Sequence, residues 1–339
     1  DANPGAVDKA LAGLKKTLDR LVEKGKLSTE QAEQIHDRIS PAEVVKDLAG
    51  CGLVIEAIIE DLGIKKKLFA ELEASLAKDA VLATNTSSLS VTAIAAACAH
   101  PSRVIGLHFF NPAPLLPLVE VVPGIATSAE LPKRCAELMK AWGKAPVLCK
   151  DTPGFIVNRV ARPFYGEALR IFEEGLADMA TIDHAMKSVG GFKMGPFELM
   201  DLIGNDINFA VTKSVFEAFF YDPRYRPSIT QQRQVESGRL GRKSGRGYYD
   251  YDTSGAVIAA GSPPSSGDHM EVARVTQLLN DICWRVLVML INEAVEAFNL
   301  GIASRDDLDL AMPKGGTYRK GLLAWADEKG AAHWLGRLE

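Results

Sequence analysis

Two apolar runs, VIGLHFF at 104–110 and LVEVV at 118–122, constrain this chain more than any other feature. Both read as buried strands of a parallel sheet. Each run is interrupted by one ionisable residue: His108 near the end of the first, Glu120 inside the second. The stretch between them, NPAPLLP, carries three prolines and cannot be helix or central strand. It must be a loop at one edge of the sheet, so it can bring His108 and Glu120 together. A carboxylate beside a buried imidazole fixes the tautomer and stabilises the protonated ring, which suits a general base. A single histidine in an apolar run is ordinarily a satisfied core residue. The glutamate in the second run, and the polar turn Asn85-Thr86-Ser87-Ser88 after a third strand at 81–84, make catalysis a real alternative.

At 339 residues the chain has room for two or three domains with their own cores. A net charge of −4 and the lack of a basic block with interleaved aromatics argue against nucleic-acid binding. The five cysteines are scattered and odd in number, which reads as reduced thiols in a cytoplasmic protein. The six histidines form no HxxxH or Cys/His cluster, so no metal is expected. No apolar run reaches membrane-spanning length and no signal peptide is present, so no membrane partner is expected.

Along the chain, residues 5–38 read as a helical hairpin. Val7, Leu11, Leu14, Leu18 and Val22 share one face; Gly25 ends the first helix, and Ser28 with Gln31 makes a capping box for the second. The other face is basic, by default a solvated surface. LVIEAI at 53–58 is a strand, with Glu60 and Asp61 beyond its carboxyl end, where ligands bind in such sheets. Lys65 follows on a helix and is by position a surface lysine. APVLCK at 145–150 closes the sheet, and Asp151-Thr152-Pro153-Gly154 marks a domain boundary. A long helix is expected from Phe155 to about Glu174, with Asn158 on its first turn. The region 175–235 reads as helical, and GRLGRKSGRGYYDY at 238–251 as turns before a terminal strand. SPPSSGD at 262–268 is a linker by composition. Beyond it lies a repeat: shifting 158–204 by 126 positions onto 284–330 gives 14 identities in 47 without a gap. They include Arg159/Arg285, Glu167/Glu293, Asp183/Asp309 and Gly195/Gly321. The copy departs at Asn158, which becomes Trp284, so it is expected to carry no site of its own.

NTSSLS, GLHFFNP, LVEVV, KDTPGFIVNR and GPFELMDLIG together resemble the L-3-hydroxyacyl-CoA dehydrogenase family, from residue 1 to about residue 252, with a second part of the likeness further on. The resemblance implies an α/β fold. Residues 1–150 would form an N-terminally truncated Rossmann-like parallel sheet carrying the hairpin. An all-α domain at 151–252, a linker at 253–270 and a partial, degenerate second copy at 271–339 would follow. No GxGxxG occurs, and the first strand-helix-strand unit of such a fold is expected to be missing from the chain as given. The second copy is likewise expected to break off early.

The resemblance also implies NAD as cofactor and oxidation of an L-3-hydroxyacyl-CoA to the 3-ketoacyl-CoA, with short-chain or dicarboxylic substrates such as 3-hydroxybutyryl-CoA or 3-hydroxyadipyl-CoA. It implies that His108 and Glu120 are the catalytic pair and that Ser87 and Asn158 hold the substrate. Asp1, Glu60, Lys65, Asn85, Ser87, Asn111 and Lys243 would contact the cofactor. Thr17, Lys24 and Ser87 would contact CoA, and the helical domains would form a homodimer or an intramolecular pseudo-dimer. Three rival readings stand beside it, one of them the gulonate dehydrogenase and lambda-crystallin group, which would be expected to differ from the Phe109-Phe110 found here between His108 and Asn111-Pro112. Dehydrogenases of free β-hydroxyacids use a lysine on the first long helix of the second domain, where this chain has Phe155-Ile156-Val157-Asn158-Arg159. Alternatively, a chain without the Gly-rich turn could bind acyl-CoA and be catalytically inert.

Overall fold

A computed structural model describes residues 3, 5–259, 269–316 and 318–336. Asp1 and the SPPSSGD stretch lie outside the described residues.

Helices α1 (Ala6–Glu23) and α2 (Thr29–Asp37) form the hairpin. Gly25 makes the turn at φ 65°. The Ser28 hydroxyl accepts the Gln31 N–H, and the Gln31 side chain accepts the Ser28 N–H. Only Leu18 and Ala32 are buried, because the two helices pack on each other and not on the sheet.

The sheet comprises β1 (Leu53–Glu56), β2 (Val81–Thr84), β3 (Val104–Phe109), β4 (Leu118–Pro123) and β5 (Ala145–Leu148), in that spatial order. Helix α3 (Leu62–Ser75) joins β1 to β2, α4 (Val91–Ala95) lies between β2 and β3, and α5 (Leu131–Ala141) joins β4 to β5. Strands β1, β2 and β3 run parallel, and β5 runs parallel to β4. The pair β3–β4 is antiparallel. This corrects the expectation of a wholly parallel sheet. A parallel connection needs a crossover of about a dozen residues or more, and NPAPLLP is too short to make one. The antiparallel register sets His108 directly opposite Glu120.

Alternation along the strands covers both faces. Leu82 and Val104 pack with Phe69, Leu72 and Ile94 of α3 and α4. Val81, Ala83, Ile105, Val119 and Val121 pack with Cys135 and Met139 of α5. Leu118 and Val122 point the other way, into the core shared with the helical region. Glu120 lies between them in the same phase, so it faces the helices that follow.

Those helices begin with α6 (Val157–Val160) and α7 (Arg162–Glu173). The single helix expected here is interrupted at Ala161. Pro163 has no N–H to give to the carbonyl four residues back, so the ladder breaks. Next come α8 (Met179–Ser188), α9 (Pro196–Ile203), α10 (Asn205–Ala218) and α11 (Ile229–Glu236). A small ribbon, β6 (Asp250–Tyr251) and β7 (Val257–Ala259), precedes α12 (His269–Asn299). Helices α13 (Arg305–Gly315), α14 (Leu322–Lys329) and α15 (Ala331–Leu335) complete the described chain.

The 126-residue shift reappears in the hydrogen bonding. Asp178 caps α8 through the Thr181 N–H, and Ser304 caps α13 through the Asp307 N–H. Asp183 accepts the N–H groups of Phe197 and Glu198; Asp309 accepts those of Leu323 and Ala324. Gly195 and Gly321 sit so close to these carboxylates that a Cβ would approach within 2.3 and 2.2 Å. The two copies meet reciprocally. Arg159 pairs with Glu293 at 2.5 Å, and the equivalent Arg285 pairs with Glu167 at 3.2 Å. The equivalent rings of Phe192 and Tyr318 touch, with centroids 5.2 Å apart. An arrangement in which i meets j′ and j meets i′ is that of a two-fold interface, here within one chain.

The two halves of the Arg159–Glu293 pair are unequally supported. Glu293 also accepts from Tyr225 and Arg224. Arg159 has one hydrogen-bonded partner among the described residues and otherwise lies over the Phe219 ring. Removing Glu293 therefore strands a buried guanidinium. Glu293→Leu should cost about 3–5 kcal/mol in urea unfolding, and more than Arg159→Leu. Equal midpoints for the two variants would contradict this account.

Candidate active site

His108 and Glu120 are both buried, and Nδ1 of the imidazole lies 2.6 Å from Oε2 of the carboxylate. The second carboxylate oxygen accepts the N–H groups of Ile156 and Val157 at 3.0 and 2.9 Å, at the start of α6. A helix start presents unpaired N–H groups and favours an anion. Glu120 is thus gripped from two sides, and a hydrogen bond from Nδ1 to its Oε2 requires the ring proton on Nδ1. Nε2 then carries the lone pair. The rings of Phe110 and Phe155, with centroids 4.5 and 5.8 Å from His108, confine the imidazole.

Asn158, on the first turn of α6, donates from Nδ2 to the Ser87 carbonyl at 3.4 Å, joining the polar turn to the helix start. Asn85 accepts the Phe109 N–H, which locks that turn to the end of β3. Asn111 is exposed in the loop beyond.

A second buried ionic group sits at the carboxyl ends of β1 and β2. Lys65, which position alone would put on the surface, is 1% exposed. Its ammonium lies 2.6 Å from Glu56 and 3.2 Å from Glu60. Glu56 also accepts from the Thr84 hydroxyl and the Ile58 N–H. Glu60 accepts from the Thr86 and Ser88 hydroxyls and from the N–H groups of Ser87 and Ser88. Burial by itself would raise the Glu60 pKa; the Thr86 hydroxyl, the Lys65 charge and the Ser87 and Ser88 donors outweigh it and hold the group below its ordinary value. Glu56 escaped the sequence reading, although its signal was the one that exposed Glu120: a single acid inside an apolar run.

Other residues singled out from the sequence stand apart from this group. Thr17 bonds back to the Gly13 carbonyl on the exposed face of α1, and Lys24 is exposed at its end. Lys243 donates to Asp206 at 2.7 Å, at the start of α10. No helix among the described residues is long and apolar enough to cross a membrane. Among the same residues no group of three or more His, Cys, Asp or Glu could hold a metal ion.

Comparison with known proteins decides the family. The NAD-binding domain model of 3-hydroxyacyl-CoA dehydrogenase matches residues 1–152, and the C-terminal domain model matches 154–251 and again 282–335. The chain belongs to the 3-hydroxyacyl-CoA dehydrogenase family. It is 39% identical over 412 aligned positions to a 3-hydroxyadipyl-CoA dehydrogenase of Escherichia coli K12, with all of this chain and 87% of that protein covered. It is 42% identical to a 3-hydroxybutyryl-CoA dehydrogenase of Clostridioides difficile, over 73% of this chain and 88% of that one. The crystal structure of a 3-hydroxybutyryl-CoA dehydrogenase from E. coli K12 superposes with a TM-score of 0.90 at 38% identity, covering 100% of this chain and 87% of that one.

As a 3-hydroxyacyl-CoA dehydrogenase the chain is an NAD-dependent oxidoreductase of 3-hydroxyacyl-CoA thioesters, which stands against the inert reading. The residues present fit the nicotinamide end of that cofactor. Ile58 and Ile59 are exposed apolar side chains just beyond β1, beside the hydroxyl-rich turn at 86–88. In open α/β sheets, ligands bind beyond the carboxyl ends of the strands.

Lys65 ties this edge together. In Lys65→Met, Glu56 would remain buried without its cation, so a loss of about 3–5 kcal/mol is expected in urea unfolding. Lys67→Met, on the exposed face of the same helix, should stay within about 0.5 kcal/mol of the parent. A similar loss in both would remove the buried pair as the cause.

Proposed function

We propose that this dehydrogenase acts on short-chain or dicarboxylic L-3-hydroxyacyl-CoA substrates, with His108 as the proton acceptor and Glu120 as the residue that positions it. The observation that carries this reading is the 2.6 Å contact between Nδ1 and a carboxylate whose other oxygen is already occupied. Nδ1 is committed to Glu120, so the free lone pair on Nε2 takes the proton of the substrate 3-hydroxyl. Bound NAD supplies the hydride acceptor for C3. Glu120 offsets the charge of the imidazolium as it forms, without taking the proton itself. In the reverse direction the imidazolium returns its proton to the ketone oxygen.

Ser87 and Asn158, joined across the domain boundary by a 3.4 Å hydrogen bond, orient the substrate oxygens, which lowers the entropy cost of transfer. Glu60, Lys65, Asn85 and Asn111 line the nicotinamide side. Thr17 and Lys24, on the basic face of the hairpin, suit the phosphates of CoA, and Lys243 suits the cofactor from the helical side. The names of the E. coli and C. difficile relatives support the substrate range. The reciprocal Arg–Glu pairs support an intramolecular pseudo-dimer in place of a second subunit. A cytoplasmic location accords with the scattered thiols.

The test is NADH absorbance with 3-hydroxybutyryl-CoA and 3-hydroxyadipyl-CoA in parallel. His108→Gln and Glu120→Gln should each lower kcat by about 10²- to 10⁴-fold. Acyl-CoA binding, followed by calorimetry, should persist. Near-normal turnover in either variant would refute the assignment, and no turnover of either substrate by the parent chain would refute the substrate range.

A further inference from the structure

The second helical copy has tryptophan, Trp284, where the first has Asn158. Yet its helix α13 ends against the strand that carries Glu120. Gly315 is the last residue of that helix. A Cβ placed there would lie 2.4 Å from Cδ2 of Leu118 and 3.3 Å from Cγ2 of Val157. These two neighbours are the walls of the Glu120 site. Leu118 sits two residues before Glu120 on the same face of β4 and is fully buried, so its methyl group has no solvent to swing into. Val157 supplies one of the two N–H groups that hold Glu120 Oε1.

The other end of α13 is fastened to the same sheet. The Lys150 N–H donates to the Ile302 carbonyl at 2.8 Å, and Ala303 forms a bridge with Cys149. These contacts follow directly on β5, which pairs with β4 at Glu120–Val147. Helix α13 therefore spans from the edge of the sheet to the catalytic strand, anchored at its start and in contact at its end.

We propose that Gly315 is a positioning residue for the dehydrogenase reaction: the second copy sets the spacing between β4 and α6, and so the place of the Glu120 carboxylate against His108. The two walls need a residue without a side chain at that point. A methyl or isopropyl group there would push Leu118 and Val157 apart and loosen the hold on Glu120 from both sides.

The inference rests on the activity proposed above, so it is tested by two readouts. The first is the far-downfield proton signal of a histidine N–H donating to a buried carboxylate, assigned by its loss in His108→Gln. In the full chain, Gly315→Val should shift or abolish that signal, and Gly315→Val with Leu118→Ala should restore it. The second is kinetic: Gly315→Val should lower kcat about tenfold or more, since a misplacement of about 1 Å can cost on the order of 10²-fold. KM for the acyl-CoA should change less than about twofold, because CoA and substrate contacts lie elsewhere, and the Leu118→Ala partner should recover most of the kcat. Gly315→Ala, a smaller intrusion, serves both readouts if valine prevents folding. An unchanged proton signal in a folded Gly315 variant, or a fall in kcat that Leu118→Ala does not relieve, overturns the inference. If the parent chain turns over neither substrate, the proposed function falls while the proton signal still decides this point.

Discussion

The carboxylate of Glu120 is the point on which the molecule turns. One oxygen meets the imidazole of the first domain, and the other meets two backbone N–H groups of the second. A buried carboxylate is tolerated only when its lone pairs are taken up, and here the donors come from both sides of the domain boundary. The same carboxylate therefore orients the His108 imidazole and docks the helical domain onto the sheet. Structure and chemistry cannot be separated at this residue.

The duplicated helices give a second use to the same physics. Arg159 and Arg285 each reach across to the glutamate of the other copy. The Arg159–Glu293 pair is buried and the Arg285–Glu167 pair partly exposed; a buried pair adds little net stability, but leaving one member unpaired costs a great deal, which favours this docking over others. A single chain thereby reproduces a two-fold interface. One consequence is asymmetric. The Ile302–Ala303 stretch of the second copy pairs with the edge of the sheet, whereas the equivalent Leu176 of the first copy is 54% exposed. The second copy thus covers a strand edge that would otherwise present unpaired backbone groups.

The edge at the carboxyl ends of β1 and β2 follows a similar rule. Lys65 is buried, and Glu56 and Glu60 hold its ammonium. With the Lys65 ammonium between the Glu56 and Glu60 carboxylates, the carboxyl ends of β1 and β2 are tied to the start of α3.

Much of this was legible in the chain alone. The apolar runs around His108 and Glu120, the capping box at Ser28 and the 126-residue repeat are local or periodic patterns, and local patterns are what a sequence carries directly. The antiparallel turn between β3 and β4 was also implicit, since seven residues cannot cross over, although the all-apolar strands suggested a parallel sheet. What only the tertiary structure decided is which distant groups meet. That Lys65 is buried, that the Ile156 and Val157 N–H groups close on Glu120, and that Gly315 lies against Leu118 depend on contacts between residues far apart in the chain. Their energies come from desolvation and close packing, which no spacing along the sequence encodes.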